Sequence, residues 1–221
     1  MPPLSPASID RLAEQLRAIP GVVAVTLGGS RARGEQRPGS DWDLGLYYRG
    51  RLDADNLRAM DYPGTVVDPG DWGRLMNGGA WWTVDGVKVD VLYRDLDVVR
   101  YWTEQAELGR FEVDDLLGYL AGFPTYAVVG ELALGRQLTG APLQRPSFPD
   151  ALKRSAPRNW RWRAAFHREY AQQHIARGDH RAAAALLTRS DLEQAHARLA
   201  ERGEWVFNEK GLLARAGLPS T

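Results

Sequence analysis

The stretch VVAVTLGGSRARGEQRPGSDWDLGLYY, residues 22–48, constrains the fold of this chain more than any other. It reads as a buried strand, a Gly28-Gly29-Ser30 turn opening a short helix, a polar loop, and a second strand with Asp41 and Asp43 at its start. Side chains two apart on a strand point to one side, so the two carboxylates are expected together at one edge of a sheet. Carboxylates that close repel each other unless cations sit between them. Mg²⁺ suits such oxygen ligands, because it keeps several waters and completes its shell with substrate phosphates. The turn supplies the other half: Gly28 and Gly29 let backbone approach a ligand, and Ser30 at the helix start offers N–H donors to an anion. The stretch therefore has the makings of a place where a nucleoside triphosphate meets metal.

Each piece also has a plainer use. Aspartates flanking a strand commonly form turns or caps, or lie on a solvated face. A third acidic residue changes the balance. Val87-Lys88-Val89-Asp90-Val91-Leu92-Tyr93 alternates as a strand after Asp85-Gly86, a dipeptide suited to a tight hairpin turn from residues 81–84. Asp90 falls on the side of Lys88 and Leu92, and a carboxylate among valines is costly to bury without partners. A metal offsets that cost; so does a salt bridge to Lys88 or Arg94.

Gly28-Gly29-Ser30-Arg31-Ala32-Arg33-Gly34 followed by Ser40-Asp41-Trp42-Asp43-Leu44 resembles the signature of the DNA polymerase β-type nucleotidyltransferase superfamily. Within it the chain is similar to the small bacterial aminoglycoside and lincosamide nucleotidyltransferases. That pattern is a strand, a Gly-Gly/Ser-Ser turn, about ten residues, Asp-x-Asp on the next strand and a later strand-borne acid. The resemblance implies an α+β fold: a palm-like mixed β-sheet with flanking helices, followed by a C-terminal α-helical domain that closes over the acceptor. It implies Asp41, Asp43 and Asp90 as catalytic residues and ligands of two Mg²⁺ ions. Gly28, Gly29 and Ser30 would hold the triphosphate of an NTP, with ATP the first choice, and Arg31 or Arg33 would offset leaving-group charge. The reaction would carry a nucleoside monophosphate to a small-molecule hydroxyl. In related antibiotic-modifying enzymes a separate glutamate takes the acceptor proton; Glu131 is nearest by region, but no motif fixes it.

Two other readings stay open. One is the same chemistry on a protein acceptor, as an antitoxin-type enzyme performs, although minimal members of that kind lack a helical tail like residues 150–221. The other is a silent nucleotide-binding module, against which the intact Asp41, Asp43 and Asp90 argue.

Composition excludes some classes. With 28 basic and 28 acidic residues in 221, the net charge is zero, which argues against a nucleic-acid surface over the whole chain. Cysteine is absent, so disulfides, Cys-ligated zinc and thiol nucleophiles are excluded. No leader pattern appears and no apolar run approaches the roughly 18 residues of a membrane span, so a cytoplasmic protein without membrane contact is expected. A homodimer is compatible with all of this. The arginines outnumber lysines 25 to 3, which inflates chance arginine motifs.

Residues 5–19, with Ile9, Leu12, Leu16 and Ile19, predict an amphipathic helix capped by Ser5 or Ser8. Trp42 falls with Leu44 and Leu46 and is expected in the core. Residues 55–60 predict a short helix and 65–67 a brief strand; Tyr47, Trp72, Trp81 and Trp82 offer rings for stacking. A helix is expected over 95–108 with Asp95 as cap, and helical pieces over 113–138. Three prolines in residues 141–149 mark a linker, dividing a catalytic domain at 1–140 from a helical domain at 141–221. Beyond it, helices are expected over 150–177, 179–202 and 208–216. Arg161 with His167, and Arg168 with His174, match the loose Arg-His spacing of helical ribonuclease modules; solvated faces with i,i+4 pairing explain them more simply. Trp160, Arg161, Trp162 and Arg163 likewise fit helix packing with snorkelling arginines better than an RNA grip.

Overall fold

In the computed structural model, which describes residues 6–219, helix α1 (Pro6–Arg17) opens the chain. Ile9, Leu12, Ala13 and Leu16 form its buried stripe, at the helical spacing expected. Of its two expected caps, Ser5 lies outside the described residues. Ser8 sits inside the helix instead, its hydroxyl accepting from Arg11 at 3.2 Å.

Strand β1 (Val22–Leu27), helix α2 (Gly29–Ala32) and strand β2 (Trp42–Tyr48) follow, then α3 (Asp55–Arg58), β3 (Gly64–Val66) and α4 (Gly73–Met76). Strands β4 (Gly79–Val84) and β5 (Val87–Asp95) form the predicted hairpin. Its turn holds Asp85 at φ 50° and Gly86 at φ 77°, the two positive values that match the twist of flanking strands. Helix α5 (Leu96–Glu107) is capped as expected, the Asp95 carboxylate accepting from the Asp97 N–H at 2.8 Å.

The region 113–138 departs from the expected helical pieces. Strands β6 (Val113–Asp114) and β7 (Phe123–Pro124) pair as a small ladder, and only α6 (Ala127–Leu134) is helical. Strand β8 (Arg136–Gly140) then joins the main sheet beside β1. RQLTG shows no apolar alternation because β8 is a half-exposed edge, held by backbone pairing to β1 rather than by burial.

The main sheet has the order β3-β4-β5-β2-β1-β8, with β2 and β5 parallel and all other neighbours antiparallel. On one side Val25, Leu27, Leu44, Leu46, Val89 and Val91 cluster with the α1 stripe, and Trp42 belongs to this core as predicted. Contacts divide the chain into two compact units. The first runs through Tyr101 and takes in Glu131–Pro146; the second comprises Trp102–Gly130 and everything from Ser147 onward.

The second unit is dominated by α7 (Asp150–Ala176) and α8 (His180–Arg202), with a short α9 (Leu212–Arg215). Asp179 caps α8 through the Ala182 N–H at 3.2 Å, and Gly203 ends it at φ 74°. Arg189 pairs with Glu193 at i,i+4 within α8, but the partners of Arg161, Arg168 and His167 lie on the other long helix rather than along one face as expected. Arg161 pairs with Glu201, Arg168 with Asp191 at 2.8 Å, and His167 with the fully buried Glu193 at 2.7 Å, while His174 meets the cap residue Asp179 at 3.2 Å. These partners account for the arginine–histidine pattern as antiparallel helix pairing. Trp160 is buried, stacked on His196 at 4.3 Å, whereas Trp162 is exposed. Burial pushes the His196 imidazole down to about 3, so it stays neutral at physiological pH. No described helix is long and apolar enough to cross a membrane.

Candidate active site

The pairing of β1 with β2 sets Leu27 opposite Leu44, and one step further the Gly28 N–H donates to the Asp43 carbonyl at 2.7 Å. The turn and the first strand carboxylate are thus locked together by backbone. Gly29 has φ 59°, and a Cβ built there would stand 1.7 Å from Asp43 Oδ2. The Asp43 carboxylate therefore rests directly on the Gly29 Cα, a position only glycine permits. Gly28 differs. Its φ is −110°, and a Cβ there would meet the nearest Asp43 atoms at 3.6 and 3.7 Å, ordinary contact distances. Of the two glycines assigned the same role from sequence, the geometry requires one.

Across the parallel pair β2–β5, Asp43 and Asp90 are Cα partners, so their side chains leave the same side of the sheet on adjacent strands. Asp41 stands one residue before β2 and is exposed. Among the described residues no group of three or more His, Cys, Asp or Glu is gathered at metal-binding spacing. The structure thus brings Asp43, Asp90 and the Gly28–Gly29 turn together and leaves Asp41 outside the strand. Two in-register carboxylates against a cradle that a single Cβ would fill still suit a divalent cation, since Mg²⁺ takes one or two carboxylates and leaves the rest of its shell to water and phosphate.

Ser30 and Arg31 lie in α2, where first-turn N–H groups have no helical carbonyl behind them. Arg31 has a structural task that the sequence did not show. It donates to the Ser40 carbonyl at 2.7 Å and the Asp41 carbonyl at 3.1 Å, and its guanidinium lies 4.1 Å from the Trp42 ring centroid. It ties the polar loop back onto α2 and holds the backbone of Asp41 in place. Arg33 pairs with Glu35 at 2.8 Å.

Further along the same side, Thr26, Gly45 and Tyr47 form a packed floor. A Cβ at Gly45 would lie 2.7 Å from Thr26 Oγ1 and 2.9 Å from the Tyr47 ring. Burial raises the Tyr47 phenol well above its ordinary range, with the Glu131 charge adding to it, so the hydroxyl stays protonated. Beyond it lies a part-buried ion pair: Arg94 Nε and Nη2 bond the two Glu131 carboxylate oxygens at 2.5 and 3.0 Å. Arg94 Nη1 also donates to the Tyr93 and Met76 carbonyls at 2.7 and 3.1 Å. Arg94 thus pairs with Glu131, whose carboxylate is held in a bidentate fork. Strand alternation puts Arg94 on the Asp90 side, but its partner is 37 residues away and left no local signal.

Residues 9–111, which contain the whole turn and all three aspartates, match the family model of the nucleotidyltransferase domain. No curated protein matches the chain. Among solved structures, the chain is similar to a nucleotidyltransferase-like protein from Exiguobacterium sibiricum 255-15. The identity is 12% and the TM-score 0.45, over 95% of this chain and 62% of that one, so the chain spans less than two thirds of that protein's length. The glycine turn and the three aspartates thus all fall within the stretch, residues 9–111, that matches a nucleotidyltransferase domain.

Proposed function

We propose that the enzyme transfers AMP from ATP, with Mg²⁺ bound, to a hydroxyl of a small, aminoglycoside-like molecule and releases pyrophosphate. The observation that carries this reading is the in-register pair Asp43–Asp90 with the Asp43 carboxylate lying on Gly29. The acceptor oxygen forms a bond to the α-phosphorus while the bond from that phosphorus to the oxygen bridging the β-phosphate breaks. The hydroxyl proton passes to a base and the electron pair leaves with pyrophosphate. Asp43 and Asp90, joined by Asp41, would hold two Mg²⁺ ions, which when bound supply neutralisation of phosphate charge and a lowered hydroxyl pKa.

The chain's own groups divide the remaining work. Gly29 and the N–H groups that follow it receive phosphate oxygens, where a side chain would block approach. Arg31, fixed by the Ser40 and Asp41 carbonyls, sets a positive charge beside the turn, and Arg33, paired with Glu35, would offset leaving-group charge only by giving up that partner. Asp90 acts on the acceptor side, as the base or as an ion ligand. Glu131, clamped by Arg94, supports the sheet beneath them and does not serve as the base.

The test is an incubation with Mg²⁺, each labelled NTP and a panel of aminoglycosides, lincosamides, sugars and cell proteins. Label from ATP on a small molecule is the expected result. Label on a protein would favour the antitoxin-type acceptor, and no label anywhere would refute transfer. Asp41→Asn is expected to lower transfer on the order of 10²–10³-fold. Because Asp41 is exposed, its thermal midpoint should stay within about 2 °C. An Asp41→Asn variant with undiminished transfer would remove that residue from the assignment.

A further inference from the structure

Next to Asp90 on β4 stands its antiparallel Cα partner Trp81, on the same side of the sheet. Its indole leans back along the strand, so that a Cβ at Gly79 would stand 3.2 and 3.4 Å from the ring atoms Cη2 and Cζ2. Trp72 stacks on this indole, with centroids 4.5 Å apart and planes 28° from parallel. Yet Trp72 remains 44% exposed. The loop that carries it is tied at several points. Asp68 N–H donates to the Asp71 carboxylate at 3.1 Å, Gly70 N–H to the Asn77 carbonyl at 2.5 Å, and the Asn77 amide to the Tyr48 hydroxyl at 2.5 Å. An indole held out by an ordered loop and stacked on a second one forgoes burial that a smaller residue would not need.

Strand order gives this pair a direction. Across the sheet the sequence of features is the glycine turn after β1, Asp43 on β2, Asp90 on β5 and Trp81 on β4, at about 4.8 Å per strand. In phosphoryl transfer the incoming and leaving oxygens lie roughly in line on opposite sides of the phosphorus. With the triphosphate on the turn and the reacting phosphorus above the carboxylates, pyrophosphate leaves toward β1. The acceptor must then arrive from the β4 side, where the indole pair stands.

We propose that Trp72 and Trp81 form the wall on which the acceptor, not the nucleotide, lays a ring; this rests on the transfer reading given above. The chemistry that fits is a hydroxylated alicyclic or sugar ring whose C–H face packs on indole. Amino groups on that ring add attraction to the indole face. Trp72 and Trp81 are in this sense specificity residues, since neither is placed to hold phosphate or metal.

The experiment measures KM for ATP, and KM for whichever panel acceptor the wild type labels fastest, in wild type, Trp72→Ala and Trp72→Phe. Binding of mant-ATP with Mg²⁺ is measured in parallel. Trp72→Ala should raise the acceptor KM roughly tenfold and leave the ATP KM within about twofold, with Trp72→Phe restoring most of the loss. An acceptor KM unchanged in Trp72→Ala, with transfer intact, overturns the wall and spares the transfer reading. A rise in the ATP KM instead assigns the pair to the nucleobase and equally overturns it. A folded wild type that neither binds mant-ATP nor labels any acceptor defeats the transfer reading, and the wall falls with it.

Discussion

On one side of the main sheet Leu44, Leu46, Val89 and Val91 pack with α1, whereas on the other the same two strands present Asp43, Tyr47, Asp90 and Arg94. The apolar side is stabilised by removing surface from water, at about 25 cal/mol per Å². The other side is expensive: it buries the Arg94 guanidinium against the partly exposed Glu131 and sets two carboxylates on neighbouring strands. Because side chains alternate, slipping β2 by one residue against β5 would exchange the two sets. The register that buries Leu44 and Val91 is therefore also what sets Asp43 beside Asp90, and the core acts as the positioning device for the site.

The sharpest way to break that contrast is at the Arg94–Glu131 pair. Glu131→Ala should cost about 3–5 kcal/mol in urea unfolding, because it takes the bidentate carboxylate away from the buried Arg94 guanidinium. Glu131→Leu combined with Arg94→Met should recover most of it; a double variant as unstable as the single one would mean that the charges themselves hold the fold. On the apolar side Leu44→Ala should cost about 2–5 kcal/mol, with ATP affinity of the folded fraction kept. The glycines give the smallest change in stability and the clearest contrast in activity. Gly29→Ala should destabilise by about 1 kcal/mol through its positive φ and displace the Asp43 carboxylate, lowering transfer on the order of 10²-fold. Gly28→Ala should stay within about 0.5 kcal/mol and near wild-type transfer. Equal damage from both would contradict the seat of Asp43 on Gly29.

Elements defined by local pattern were legible in the sequence. The alternation in β2 and β5, the Asp85-Gly86 turn, the α1 stripe and the Asp95 cap all follow from residues within a few positions of each other. What escaped depends on distant partners or on dihedrals. Strand β8 exists because β1 offers it an edge, Arg94 finds Glu131 on another element, and Arg31 spends its donors on two carbonyls. Gly28 and Gly29 are the same letter in the sequence and differ only in φ and in what lies against them. Asp41 reads as the equal of Asp43 by spacing, yet it lies ahead of the strand that fixes its neighbour.

The most direct test of the site is a crystal structure of the protein with Mn²⁺ and a non-hydrolysable ATP analogue, using manganese anomalous scattering to locate the ion. The expected result is an anomalous peak shared by the carboxylates of Asp43 and Asp90, with triphosphate oxygens against Gly29. Nucleotide and manganese bound away from those two residues, or a peak that persists unchanged in Asp43→Asn, would contradict it.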